Sequence, residues 1–461
     1  MENYHDFISV RSGNVFVEDC DVVELAKKHG TPLNILSETQ LRTNYRNWKN
    51  ALEKYWTSGS VNILPSVKSN LTLATRYILT EEGAGCDTFG ESELYVALKC
   101  GVDPKLISIN GTAKSRSLIR KAIEIGARIT IDNPNELEVI NEEAMSLEKV
   151  ARVRFRLRLY FPKVNEPTDF MEEEVPIEDL LRVYKPGIPF KQALELGKKA
   201  IAFENIDLVG VHMHVARNSH SLSYWDKTIT NLIEMVSSFH KEWNGWIPLE
   251  IDVGGGFAQP YDPSARMIQR VASTVSLEEI PSIEDYCKTI AGTVQRELDK
   301  HGISSEDITL EVEPGRAMYG NIGIHVAEVL GTKVEKDPTE LRWVEVNSTS
   351  LFLSSIVYEH ASHQHLVCNK ADQEVTQTAD IVGISCTFDR MKSQAELPDV
   401  TKGDLIAFLN TGAYEDAWAP NFNGLPRAPS ILVLGGKDEL VKERETIEQV
   451  FNRDRIPNRF K

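Results

Sequence analysis

Four short segments carry residue types able to do covalent or electrostatic chemistry. The first is Pro65-Ser66-Val67-Lys68-Ser69-Asn70, which closes an apolar, strand-like run. A lysine at a strand end either snorkels into solvent or, held in a site, forms a Schiff base with an aldehyde. The second, Val253-Gly254-Gly255-Gly256-Phe257, has three successive glycines whose missing Cβ atoms let backbone N–H groups close on an oxyanion. The third, Glu313-Pro314-Gly315-Arg316, sets a carboxylate beside a guanidinium. The fourth is His212-Met213-His214. On a strand, residues i and i+2 share a face. These histidines therefore read as a zinc pair lacking an evident third ligand, as an imidazole stacked on a flat ring, or as hydrogen-bonded core residues. No metal site is expected.

Stepping outward, short β-rich runs alternate with helical patterns. Strands are expected at 61–67, 84–87, 106–109, 128–131, 151–157, 208–215, 249–253 and 309–313. Helices are expected at 71–82, 91–100, 115–125, 134–143 and 283–301. This alternation predicts an α/β fold with a parallel sheet, and eight units predict a TIM-like (β/α)8 barrel. An open doubly wound sheet is the alternative. In a barrel the chemistry sits at the carboxyl ends of the strands, and phosphate often lies between the loops after strands seven and eight. The glycine run and Arg316 fall in those two loops. Glu313 would be repelled by a phosphate, so a cation must face it. That cation is either a protonated pyridine nitrogen or a barrel arginine such as Arg156. After about residue 320 the pattern changes to that of an antiparallel β-domain. The expected division is 1–35, a strand segment packing with the β-domain; 36–320, the barrel; and 321–461, the β-domain. Two long connections, 160–189 and 258–281, read as site-covering loops or as surface insertions.

The 461-residue chain has 51 basic and 68 acidic side chains and a net charge of −17, so nucleic acid and anionic membranes are not expected partners. No secretory leader and no apolar run of about 18 residues is evident. The six cysteines, Cys20, Cys86, Cys100, Cys287, Cys368 and Cys386, form no C-x-x-C pair, which fits a reducing cytoplasm.

Taken in order, these segments resemble the fold-type III pyridoxal-phosphate decarboxylases, the group containing diaminopimelate and ornithine decarboxylases. The resemblance runs from Thr31-Pro32 to about Phe451. It includes Asp87 and Glu93 in Cys86-Asp87-Thr88-Phe89-Gly90-Glu91-Ser92-Glu93. In the second domain it includes Cys386, Gly403-Asp404, Gly412-Ala413-Tyr414 and Asn421-Phe422-Asn423. The balance is closer to the diaminopimelate branch. The resemblance implies an alanine racemase-like barrel and an amino-acid decarboxylase using pyridoxal 5'-phosphate. Lys68 would carry the aldimine, His214 would stack on the ring and Glu313 would hold its nitrogen. Asp87, Gly254, Gly255, Gly256, Gly315, Arg316 and Tyr414 would complete the cofactor site. Cys386 of the partner subunit would reprotonate the carbanion in a homodimer; a buried structural thiol is the alternative for this residue.

Substrate recognition departs from the pattern. The family's arginine four residues before Tyr358 is replaced by Ser354, and the acidic residue after the loop cysteine by Thr387. The next aspartate, Asp389, is one residue early. The histidine motif continues as Ala216-Arg217. The substrate-facing candidates are thus Arg217, Tyr358, Glu359, Thr387 and Asp389. Glu359 leaves a basic, ornithine- or lysine-like substrate open. A racemase and a catalytically silent homologue are the competing readings.

Overall fold

The computed structural model describes residues 7–159, 185–258, 280–359 and 361–460. Both long connections read from the sequence lie largely outside them. The chain forms two compact units. One comprises Arg42–Pro260 and Ile268–Met318; the other comprises Met1–Leu41, Tyr261–Met267 and Tyr319–Lys461.

The first unit is the barrel. Its eight strands are Val61–Ile63, Cys86–Thr88, Ile107–Ile109, Arg128–Ile131, Ala151–Arg158, Ile206–His212, Glu250–Asp252 and Thr309–Val312. Each pairs in parallel with its sequence neighbour, and the first lies beside the eighth. The seam between the first and second strands is closed by a parallel bridge, Ser66 to Asp87. A doubly wound sheet would reverse its strand order at a switch point, and none occurs here. Apolar side chains such as Ile109, Ile129, Val153, Val211 and Ile251 are fully buried. The helices begin where the sequence supplies caps. Ser115 Oγ accepts from Leu118 N at 3.1 Å to open Arg116–Ile125, and Gly126 ends that helix at φ 78°. Ser282 and Asp285 form a capping box for Ile283–Lys300.

Two strand ends fall short of the sequence expectation. The first strand stops at Ile63, and Val67–Ser69 forms a separate 3-10 turn carrying Lys68. The sixth stops at His212, so His214 lies beyond the strand. The shared-face argument for the two histidines therefore fails, and the loop places His214 instead.

In the second unit the long strand Gly323–Glu335 is central. It pairs antiparallel with Leu33–Ser37, Leu341–Val346 and Leu405–Leu409. The sheet is mixed rather than purely antiparallel: Leu33–Ser37 runs parallel to Ser430–Leu434, and Leu341–Val346 parallel to Gln377–Val382. Leu405–Leu409 is buried on both faces. Leu405, Ala407 and Leu409 join a core containing Phe7, Ile8, Val15 and Val17, while Ile406 and Phe408 join a second core. This alternation is the two-residue period of a strand. Among the described residues, no helix is long and apolar enough to cross a membrane.

Candidate active site

The carboxyl ends of the barrel strands bring four of the sequence-selected groups into one hydrogen-bonded assembly. Lys68 Nζ donates to Asp87 Oδ2 at 2.7 Å and to Ser66 Oγ at 2.6 Å. Ser66 Oγ in turn donates to Asp87 Oδ2 at 2.6 Å. Burial alone would raise the Asp87 pKa. The Lys68 charge, with hydrogen bonds from Lys68, Ser66 and Asn110, overrides this and holds it well below the carboxylate range. Asn110, at the end of the third strand, donates to Asp87 Oδ1 at 2.7 Å and to Glu313 Oε1 at 2.5 Å. The lysine at one end of the mouth is thus joined to the glutamate at the other.

Glu313 is buried, with His212 Nε2 3.2 Å and His214 Nδ1 3.8 Å from its Oε2. The arginine near it is Arg154, at 3.5 Å, and not Arg156, whose Nε lies 4.0 Å from Asp132. Below Glu313 the barrel interior holds stacked charges. Arg154 pairs with Asp252 and Glu311, each at 2.6 Å. Arg128 pairs with Glu311 at 2.6 Å and Glu250 at 3.1 Å, and Arg152 pairs with Glu250 at 2.6 Å. Three arginines therefore face four acids, Glu250, Asp252, Glu311 and Glu313. The surplus acid binds a proton. Burial and the Glu313 charge push Asp252 up to about 8, and burial and the Asp87 charge push Glu313 up to about 7. One donor atom from each of Asp252, Glu313 and His212 lies within 4.8 Å of the others, so the two acids do not both ionise freely.

His214 keeps 28% of its side chain open, and its Nδ1 accepts from Gly255 N at 3.1 Å. Burial of the ring, then the cations Arg156 and Lys68, hold its pKa well below the ordinary histidine value, so the imidazole is neutral. The glycine run is required by close approach. A Cβ on Gly255 would sit 2.1 Å from Glu313 O, and one on Gly256, at φ +96°, 2.1 Å from Ala216 O. The same turn is laced to the next loop by Glu313 N donating to Gly254 O at 2.8 Å. Gly254 N–H is taken by Asp252 Oδ1 at 2.8 Å and Gly255 N–H by His214. Only Gly256 of the three has an N–H without an acceptor among the described residues. Gly315 precedes the short helix Arg316–Tyr319, where Arg316 is buried. Arg217 is half-buried in the loop after the sixth strand.

A model of the family "Pyridoxal-dependent decarboxylase, pyridoxal binding domain" matches residues 38–320. The chain belongs to this family. It is 28% identical over 459 residues to the diaminopimelate decarboxylase of Methanocaldococcus jannaschii, covering 98% of each chain. It is 26% identical to that of Aquifex aeolicus, again over 98% of each. The crystal structure of the M. jannaschii enzyme superposes with a TM-score of 0.86 at 26% identity, covering 99% of both chains. A lysine/ornithine decarboxylase of Vibrio vulnificus, at 21% identity and a TM-score of 0.70, shares the fold while covering 90% of this chain and 98% of its own.

For a pyridoxal-dependent decarboxylase, the barrel mouth offers what the cofactor needs. It has an amine at Lys68, an acid at Glu313, a neutral ring at His214 and, among the described residues, an N–H without an acceptor at Gly256. The remaining candidates belong to the second unit. Cys386 is exposed in the single chain, whereas the other five cysteines are buried. Its backbone N donates to Asn423 Oδ1 at 2.9 Å, and Asn423 Nδ2 lies 3.4 Å from its sulfur. Thr387 is exposed and bonds Ser385 Oγ at 2.8 Å. Asp389 is turned inward. It accepts from Thr349 Oγ1, Ser350 N, Ser350 Oγ and Ser385 N, at 2.7–3.0 Å. It fastens the cysteine loop, with three of these bonds on Oδ1 and one on Oδ2. Ser354 is buried and donates to Leu351 O at 2.6 Å, and Glu359 is buried beside the exposed Tyr358. Tyr358 packs edge-on to Trp418 at 5.7 Å, and Trp418 lies 5.0 Å from Tyr414. Sequence reasoning assigned no role to Asn110, Arg154, Asp252 or Trp418. Asp252 and Asn110 lie at strand ends, the one positional signal that pointed to them.

Proposed function

We propose that the protein releases CO2 from the α-carboxylate of an amino acid, with pyridoxal 5'-phosphate held through Lys68. The observation that carries this reading is the unbroken path Lys68–Asp87–Asn110–Glu313 across the barrel mouth. When bound, pyridoxal phosphate supplies an electron sink for the pair left behind by CO2. Lys68 would hold the aldehyde carbon, with Asp87 keeping the lysine nitrogen positively charged. Glu313 would hold the ring nitrogen, and His214, being neutral, would pack against the ring without competing for its proton. Gly256 N–H, Arg316 and Tyr414 would bind the phosphate. Cys386 of the partner subunit returns a proton, which makes the working form a homodimer.

The substrate we propose is not diaminopimelate. Ser354 and Thr387 carry no charge where the resemblance expects charged contacts. Losing a charged contact to a buried partner costs on the order of 2–5 kcal/mol. Arg217, Tyr358, Glu359, Thr387 and Asp389 are the substrate-facing candidates. Purified protein loaded with pyridoxal phosphate is to be screened for CO2 release across D- and L-diamino and acidic amino acids. CO2 release that is lost in Lys68→Ala, together with the visible absorbance band, supports the reading. Chiral inversion without CO2 would establish a racemase, and a protein that never acquires the band would be a silent homologue.

A further inference from the structure

Asn110 touches both Asp87 and Glu313, the carboxylates assigned above to the two ends of the cofactor site. Its amide nitrogen serves Asp87 and Glu313, at 2.7 and 2.5 Å. Its amide oxygen is fixed from the opposite side by Ser108 Oγ at 2.8 Å and Arg154 Nη2 at 3.4 Å. With acceptors on one side and donors on the other, only this orientation of the amide satisfies all four contacts. Arg154 also donates to Ser108 Oγ at 2.5 Å, so the carboxamide is clamped by the charge stack beneath it. Asn110 is 3% exposed and has no solvent to turn toward. Two carboxylates this close repel each other, and each N–H of one rigid amide offsets part of that repulsion.

We propose that Asn110 is a positioning residue that sets the charge at both ends of the cofactor site. One N–H goes to the acid that holds Lys68, and the other to the acid reserved for the ring nitrogen. This rests on the roles given above to Lys68 and Glu313. Without those donors, Glu313 faces Asp87 unshielded and retains its own proton. The ring nitrogen then loses its anionic partner, and electron withdrawal weakens. The nitrogen of Lys68 becomes more basic for the same reason. Asn110 acts through the two carboxylates assigned to the cofactor, so the loss falls on kcat.

The test uses the holoenzyme and the variants Asn110→Ala, Asn110→Asp and Asn110→Ser. The visible band of the Lys68-bound cofactor is titrated with pH, and steady-state kinetics are measured in parallel. Asn110→Ala and Asn110→Asp are expected to move the titration midpoint to higher pH. They should lower kcat roughly 10- to 100-fold, the range for losing hydrogen bonds to charged groups, with KM changed less than about twofold. Asn110→Ser, which keeps one donor, should recover part of both effects. A folded Asn110→Ala protein with the parental midpoint and kcat overturns the proposal. Should Asn110→Ala not fold, the isosteric Asn110→Asp decides: a parental titration there overturns it equally. A parent protein without any visible band refutes instead the cofactor reading on which the proposal rests, and this proposal falls with it.

Discussion

Replacing Glu313 with glutamine preserves the shape of the side chain and removes the surplus acid from the barrel interior. In the cofactor-free protein, burial, then the Asp87 charge, raise the Glu313 pKa from 4.5 to about 7. A carboxyl group whose folded pKa is raised binds more protons in the folded state than in the unfolded one over that window. Stability is therefore fully present below about pH 4.5 and falls as pH climbs through about 7. The displacement from 4.5 to about 7 corresponds to a cost of about 3 kcal/mol at alkaline pH. Glu313→Gln removes that cost. The variant should match or fall slightly below the parent at acid pH, because Asn110 now meets an amide. Above neutrality it should be more stable, by about 3 kcal/mol at most, since three acids, Glu250, Asp252 and Glu311, then face the three arginines. In a domain of this size that is roughly 5 °C in thermal midpoint. Thermal denaturation of the apo forms across pH tests it. Parallel curves for parent and variant would show that the surplus proton is not at Glu313, and the charge count in the barrel would be wrong. Loading with pyridoxal phosphate should reverse the ranking, because the ring nitrogen then supplies the cation Glu313 lacks.

Other consequences are equally direct. Gly255→Ala would drive a methyl group to 2.1 Å from Glu313 O and should abolish cofactor retention, read as the visible band after dialysis. Gly292→Ala, in the helix Ile283–Lys300 with nothing within 4 Å of the new carbon, should instead stabilise by about 0.5–1 kcal/mol. His212 and His214 should show neutral imidazole signals by NMR throughout neutral pH, because burial pushes both well below the ordinary value. An imidazolium signal at either residue near pH 6.5 would count against their assignment. Asp389→Ala deprives the Cys386 loop of four hydrogen-bond donors' common acceptor. It should destabilise the second unit by about 2–4 kcal/mol, measured by urea denaturation.

The local pattern of the chain determined the barrel. Strand–helix alternation specifies parallel strands, and the glycine run and Glu313-Pro314-Gly315-Arg316 fall after the seventh and eighth because short motifs travel with the elements that carry them. Lys68 was legible for the same reason, whereas Asp87 stood out only through the family resemblance. Depth inside the barrel was not. Arg154 and Arg156 share one face of the fifth strand, and a two-residue period cannot rank them. The stagger between strands does so, setting Arg154 beside Thr130 and Gly210, one layer below the mouth, and Arg156 beside His212. Asn110 and Asp252 gained their meaning only when distant strands closed around Glu313. Asp389 gained a structural role that the sequence did not show, because residues 349, 350 and 385 fold back onto it. A sequence shows which charges are present, but which of them share a proton depends on distances of a few ångströms that only the closed barrel sets.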